Sequence, residues 1–313
     1  MKPPHMGDIG GRFRRFRSRL GGSAEPEADD VWKAIQLARH AERPYPLDYI
    51  ARLMPDFEEL HGDRLQGDDH AIVAGIGRYH GRPTVVIGQQ KGRDAEERVF
   101  RNFAMSGPGG YRKAMRVMEL AEKLRAPVVT LIDTPGAFAG AQAEINGQGG
   151  AIAQSMQTMM RLRVPSIAVI VGEGSSGGAL ALGVADRVVM LENSTYSVIS
   201  PEGASAILWR DAGKAQLAAA AFKPTAANCY RWGVADAVVP EPEGGAHTDH
   251  DEAARLLDGY LSRTLRNLIA IPDADRVRQR RDRFRRLGAY RELPTGGTAI
   301  VVGVDDPRPA PGS

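Results

Sequence analysis

Apolar residues fall into two rhythms along this chain. Short unbroken runs, such as PVVTLID (127–133), SIAVIV (166–171) and RVVML (187–191), have the length and β-branched character of buried strands. Between them, apolar residues recur three or four apart, as helices require. The pattern predicts helices over 31–40, with Asp30 as cap, and over 47–60, 109–125, 145–162 and 177–184, then several within 203–234, and finally over 251–270 and 275–287. AIVAGIGRYHGRPTVVIGQQ (71–90) reads as two strands turning at Tyr79–His80–Gly81–Arg82. Further strands are expected at 195–200 and 237–240. On the 145–162 helix, Ile152, Met156, Met159 and Met160 share a face and are assigned to the core. Strands alternating with helices imply an α/β layer fold with parallel crossovers, one hairpin mixed in.

Composition trims the alternatives. The 313 residues are 42% hydrophobic and 25% charged, which excludes a mainly disordered chain. No apolar run reaches the roughly 18 residues of a membrane span. A single cysteine, Cys229, excludes an intrachain disulfide or a four-cysteine zinc site, and is expected to be buried and inert. The net charge of +3 is local: residues 276–286 carry seven arginines and one aspartate, so the bulk of the chain is mildly acidic. A general nucleic-acid binder would spread its positive charge more widely. The arginine-rich helix is expected to be a solvated or subunit-facing face rather than a phosphate site. Residues 1–30 and 292–313 read as loose tails flanking one domain over 31–291.

The segment VGEGSSGGALALGVADRVVMLE (171–192) is the richest in candidate chemistry. A strand ends, a glycine-rich turn follows, and Gly177 and Gly178 open a helix of small residues. Three chemistries fit. Gly172, Gly174 and Gly177 match the dinucleotide fingerprint, with Glu192 twenty residues on, which would make the chain an NAD(P)-binding oxidoreductase. Gly174–Gly178 also contains G-x-S-x-G around Ser176, with His247 or His250 as candidate base. Ser176 lies five residues past Val171, too far from the predicted strand end for a hydrolase elbow. Third, adjacent amides at a helix start form an oxyanion hole. A close helix–sheet crossing that only needs small residues accounts for the turn equally well.

Other segments bear on the choice. ARHAERPYPLDYI (38–50), HGDRLQGDDHAIVAGIGRYHGRP (61–83), RNFAMSGPGGYRKAMRVMELAEK (101–123), IDTPGAFAG (132–140) and STYSVISPEGASAILW (194–209) occur in order along the chain. In that order and spacing they closely resemble the alpha subunits of bacterial and plastid acetyl-CoA carboxylase carboxyltransferase, over about residues 31–291. The resemblance implies an α/β crotonase-like fold, a superhelix of ββα units with N-terminal and C-terminal helical extensions. It implies transfer of a carboxyl group from carboxybiotin, borne on a separate carrier protein, to acetyl-CoA, giving malonyl-CoA for fatty acid synthesis. It also implies a partner beta subunit carrying the zinc ribbon, an α2β2 assembly, no metal in this chain, and a cytoplasmic location, or a plastid one if the first 30 residues are a transit peptide.

The resemblance assigns roles by position. Gly177 and Gly178 match the amides over the biotin ureido oxygen, and Ala137 and Phe138 match a second turn lining the cavity. Gly136, Gly174, Ser176, Tyr196 and Lys91 are candidates for the same biotin and coenzyme A cavity. Biotin can itself serve as base in such a reaction, so no catalytic triad is required. Four positions depart from the family pattern: Ser175, Phe138 and Ala139 stand where glycine, tyrosine and proline are usual, and Asn146 replaces an arginine. These bear on acyl-chain preference. A diverged, non-catalytic scaffold subunit is the remaining alternative. Arg112 and Lys113 are expected to cover a helix face, Asp133 to cap its turn, and HTDHDE (247–252) to be a capped helix start rather than a metal site.

Overall fold

A computed structural model describes residues 28–288. The expected tails lie outside these residues, except 28–30, which are helical. Helix α1 (Ala28–Ala38) therefore begins before Asp30, which sits in the acidic first turn rather than at the cap. There its charge favours the positive end of the helix dipole.

The sheet has eight strands, β1 (Glu58–Glu59), β2 (Ile72–Tyr79), β3 (Arg82–Gln89), β4 (Val128–Thr134), β5 (Ser166–Ser175), β6 (Arg187–Leu191), β7 (Thr195–Ser197) and β8 (Ala237–Val239). Spatial order is β1-β2-β3-β4-β5-β6-β8, with β7 paired to the end of β5. The first three strands are antiparallel, and from β3 onward every pairing is parallel. The β2–β3 hairpin turns where the pattern places it, with Tyr79 opposite Arg82 and with His80 and Gly81 at φ +48° and +76°. That pair of positive angles suits a tight two-residue hairpin.

Both faces of the sheet are covered, which is why its strands read as continuous apolar runs. On one side Val128, Ile132, Ala168 and Ile170 meet α4 (Pro108–Leu124), α6 (Gln148–Arg161) and α7 (Ser176–Gly183). On the other, Val129, Leu131, Ile167 and Val169 meet α2 (Pro46–Leu53) and α11 (His250–Ile269). Met159 is fully buried, and Met156 and Met160 pack beside it.

Three boundaries differ from the pattern. The helix expected over 47–60 stops at Leu53, because Glu58 and Glu59 pair with β2 as an edge strand. The helix expected over 145–162 begins only at Gln148, as α6, because Gly147 at φ +81° separates it from a short preceding helix, α5 (Ala141–Ile145). β5 runs four residues past the apolar core of its sequence, to Ser175, because β7 pairs with that extension. Between β5 and β8 lie α8 (Pro201–Trp209), α9 (Ala215–Phe222) and α10 (Ala226–Arg231); α3 (Ala95–Phe100) follows β3, and α12 (Asp273–Arg285) closes the described chain.

Candidate active site

The site lies at the carboxyl ends of β4 and β5, where open parallel sheets bind their ligands. β5 passes straight into α7. Ser175 is the cap residue with φ −121°, so the serine in place of the family's glycine carries no backbone strain. The left-handed angle falls one residue later, on exposed Ser176 at φ +58°. The N–H groups of Ser176, Gly177 and Gly178 begin the helix and have no intrahelical acceptor.

β4 delivers the second turn, 135–140. A Cβ on Gly178 would lie 2.6 Å from the Ala137 nitrogen and 2.6 Å from the Gly136 carbonyl carbon. No side chain fits that space, so the two turns touch backbone to backbone. Gly177 is less confined: its Cβ would meet Ile152 at 3.4 Å, an ordinary contact.

Buried amides fix both turns. Gln89 Nε2 donates to the Gly178 carbonyl at 2.8 Å. Gln148 Nε2 donates to the carbonyls of Phe138 and Ser106, each at 2.8 Å. The Thr134 hydroxyl lies 2.7 Å from the carbonyls of Ala104 and Gly136. The Phe138 N–H donates to the Ser106 carbonyl at 3.0 Å. It is therefore engaged within the fold, whereas the Ala137 N–H has no acceptor among the described residues, and its nitrogen lies beside Gly178. The Phe138 ring folds over Gly140.

Just upstream of the two turns sits a chain of charges. Between Ile132 and Thr134 the β4–β5 register slips, so Asp133 stands opposite a widened stretch of β5. Its side chain enters the space left by Gly172, where a Cβ would lie 2.5 Å from Asp133 Oδ1. That oxygen accepts the Glu173 N–H at 2.9 Å and lies 2.8 Å from Lys91 Nζ. Lys91 Nζ is also 2.8 Å from Glu173 Oε2. Arg39 joins Glu173 Oε1 at 2.5 Å to Glu202 Oε1 at 2.7 Å, tying α1 and α8 to the site. Burial works against the Lys91 charge, but the two carboxylates outweigh it and hold the ammonium above its ordinary pKa. Burial pushes the Asp133 carboxyl up, against the pull of Lys91.

The other sequence candidates sort clearly. Gly174 packs against the Tyr196 ring, with its Cβ position 3.1 Å from Tyr196 Cδ2. Burial raises the Tyr196 hydroxyl to about 12. Arg112 and Lys113 do not cover a free helix face. Arg112 grips Asp63 at 2.9 Å, while fully buried Lys113 reaches Asp68 at 2.6 Å, together clamping loop 61–70 onto α4. Asn146 belongs to this clamp, accepting from Gln66 at 3.0 Å through its side chain. The arginine helix is likewise not simply solvated. Arg280 is 1% exposed and forks onto Asp186 at 2.8 and 2.9 Å, while also donating to the Leu162 carbonyl that ends α6. Arg276 is buried, and Arg283 pairs with Asp236 at 2.9 Å. Asp249 caps α11 through the Glu252 N–H, as HTDHDE suggested. Cys229 is buried, and burial pushes its thiol up to about 12.

Two alternatives lose their footing. Gly172 and Gly174 both lie inside β5, so the fingerprint does not form a phosphate-binding turn. Glu192 accepts the Glu241 N–H at 3.0 Å, tying down a loop. For the hydrolase elbow, the spacing objection fails, because β5 reaches Ser175 and Ser176 sits directly at its end. The base is what is wanting: His247 stacks on His40, and His250 Nε2 lies 2.7 Å from the Glu42 carbonyl. Among the described residues no three His, Cys, Asp or Glu side chains gather as a metal set, and no helix is long and apolar enough to cross a membrane.

Residues 27–288 match the family model described as acetyl co-enzyme A carboxylase carboxyltransferase-like. The chain belongs to this family. An alpha subunit of acetyl-coenzyme A carboxylase carboxyl transferase from Geobacter sulfurreducens is 54% identical over 83% of this chain and 82% of its own length. The Deinococcus radiodurans protein of the same name is 54% identical over 83% of both chains. The carboxyltransferase fold is of crotonase type. A transcarboxylase 12S structure superposes with TM-score 0.56 at 18% identity, covering 88% of this chain and 48% of that one. This chain thus spans about half of that longer chain. One chain of a Pseudomonas malonate decarboxylase hetero-tetramer in complex with coenzyme A superposes with TM-score 0.59 at 19% identity, over 77% of this chain and 97% of that one.

Sequence reasoning placed the two turns but missed Gln89, Gln148, Glu173 and Arg39. Three lie in segments already singled out, Arg39 in 38–50, Gln89 in 71–90 and Glu173 in 171–192; only the side-chain geometry shows what they hold.

Proposed function

We propose that this chain is the alpha subunit of an acetyl-CoA carboxylase carboxyltransferase, moving a carboxyl group from carboxybiotin on a separate carrier protein to acetyl-CoA. One observation carries the reading: the Gly178 backbone meets the Gly136–Ala137 peptide so closely that the first N–H groups of α7 lie beside the Ala137 nitrogen. Preorganised amides of this kind stabilise a developing oxyanion by about 3 kcal/mol each.

The residues present fit a ureido oxygen. Gly177, Gly178 and Ala137 offer donors with little side-chain bulk, and the neighbouring glutamines bind the opposite carbonyls and so fix the peptide planes. Bound biotin would supply the transferable carboxyl group and, after its release, a basic ring nitrogen. This chain's own part is to hold the ureido oxygen, exclude water with the Phe138 and Tyr196 rings, and keep the two turns in register. Gly136, Gly174 and Ser176 shape the same cavity.

A beta subunit completes the site in this reading, in an α2β2 complex that brings the zinc ribbon and the surface for acetyl-CoA. Support comes from the relatives' designation as alpha subunits and from this chain matching half of a longer transcarboxylase chain. The proposed location is the cytoplasm.

The test is reconstitution. The chain is co-expressed with a candidate beta subunit, and the purified complex is assayed for malonyl-CoA decarboxylation with free biotin as acceptor. Activity that needs both chains, and that falls in Gly177→Val with the complex intact, supports the reading. Full activity in that variant, or none in the wild-type complex towards acetyl, propionyl or butyryl substrates, overturns it.

A further inference from the structure

We infer that Lys91 is a positioning residue, a strut that sets the spacing of the two turns; this rests on the function proposed above. Lys91 itself follows β3, on neither turn. Its ammonium bridges Asp133 and Glu173 at 2.8 Å each. Asp133 lies three residues before Gly136, and Glu173 four residues before Gly177. The bridge therefore ties β4 to β5 where their register has slipped and regular pairing is lost. The Glu173 N–H to Asp133 Oδ1 bond makes a second tie at the same place.

Both Lys91 contacts are to protein carboxylates, and its side chain is 15% exposed, so the ammonium is turned into the fold rather than towards a ligand. Without it, two carboxylates would share a dry site and repel. That repulsion would push apart the strand ends that carry Ala137 and Gly178. A tether longer or shorter by an ångström alters donor placement without removing any donor. Such misplacement lowers turnover more than substrate binding.

Two variants separate this role from general stability. Lys91→Arg keeps the charge and changes the reach. The double variant Lys91→Met with Asp133→Asn removes both charges, so no orphaned carboxylate remains at that position. Each is assembled with the beta subunit and assayed for malonyl-CoA decarboxylation with free biotin. Expected is a fall in kcat of about 100-fold, with KM for malonyl-CoA within about threefold of wild type. In the full chain alone, amide hydrogen exchange should quicken selectively in peptides covering 132–139 and 172–179. Unchanged exchange there overturns the inference, whatever the activity. So does wild-type kcat in either variant, or a loss confined to KM, which would make Lys91 a substrate contact. An inactive wild-type complex would instead count against the proposed reaction, leaving the exchange measurement to decide the strut.

Discussion

The Ala137 nitrogen lies 2.6 Å from where a Gly178 side chain would begin. The contact makes the two glycines of the α7 start unequal, although the sequence presents them as a pair. Gly178→Ala must move one turn away from the other, and overpacking of this sort costs about 1–3 kcal/mol. Turnover should fall by about 100-fold or more, the loss seen when an oxyanion donor is displaced. Gly177→Ala places its methyl at ordinary contact distance from Ile152 and should leave the melting temperature unchanged or slightly raised. Thermal melts and decarboxylation assays on the two variants check the asymmetry; equal effects would refute it.

Arg280 and Asp186 form a fully buried, two-pronged ion pair that joins α12 to the start of β5's neighbour, β6. Removing one partner of such a pair strands the other charge, at a cost of about 3–5 kcal/mol. Arg280→Met should therefore destabilise strongly, whereas Arg280→Met with Asp186→Asn should recover a large part of the loss. Arg281→Ala, on the exposed face of the same helix, should change stability by less than about 0.5 kcal/mol. Urea unfolding of the three variants tests this reading of the arginine-rich segment.

Those arginines show where the sequence could be read and where it could not. The positions of the apolar strands, the hairpin turn and both glycine turns were legible because each leaves a local mark: an apolar run, a His-Gly pair, or glycines after a strand. The destination of a long charged side chain leaves none. Arg276, Arg280 and Arg283 alternate with solvated arginines in a helix with few apolar residues, and only the fold shows Asp186 and Asp236 beneath them. The length of β5 was misjudged for the same reason. Its polar end, GEGS, is held by β7, a partner more than twenty residues away. Lys91 reads in the sequence only as a cavity candidate, because its two carboxylates come from separate strands.

Asp63 gives a pH signature. Burial alone would raise its carboxyl, but N–H groups of Gly67, Gln66 and Leu65 and the Arg112 guanidinium outweigh that and hold it well below its ordinary value of 3.8. The unfolded chain then binds this proton more readily than the folded one. The carboxylate's stabilisation is complete above the unfolded value of about 4 and is lost as pH falls through the lower folded value. Asp63→Asn should thus melt below wild type at pH 7, with the gap narrowing steadily below about pH 4. A gap that stays constant down to acid unfolding would show that the carboxylate charge is not what holds loop 61–70.

Ile207 and Leu208 on α8 are 73% and 65% exposed. Their helix is anchored from below by the Glu202–Arg39 pair, so the apolar pair is held outward by the same charges that reach the site. Each such side chain contributes about 1.5–3 kcal/mol when buried. If the beta subunit covers this helix, Ile207→Asp should weaken complex formation by about tenfold or more while leaving the melting temperature of the free chain unchanged. Titration calorimetry against the beta subunit measures the first, and differential scanning calorimetry the second. Unaltered affinity would place the subunit contact elsewhere. A lowered melting temperature would mean that Ile207 packs within its own chain.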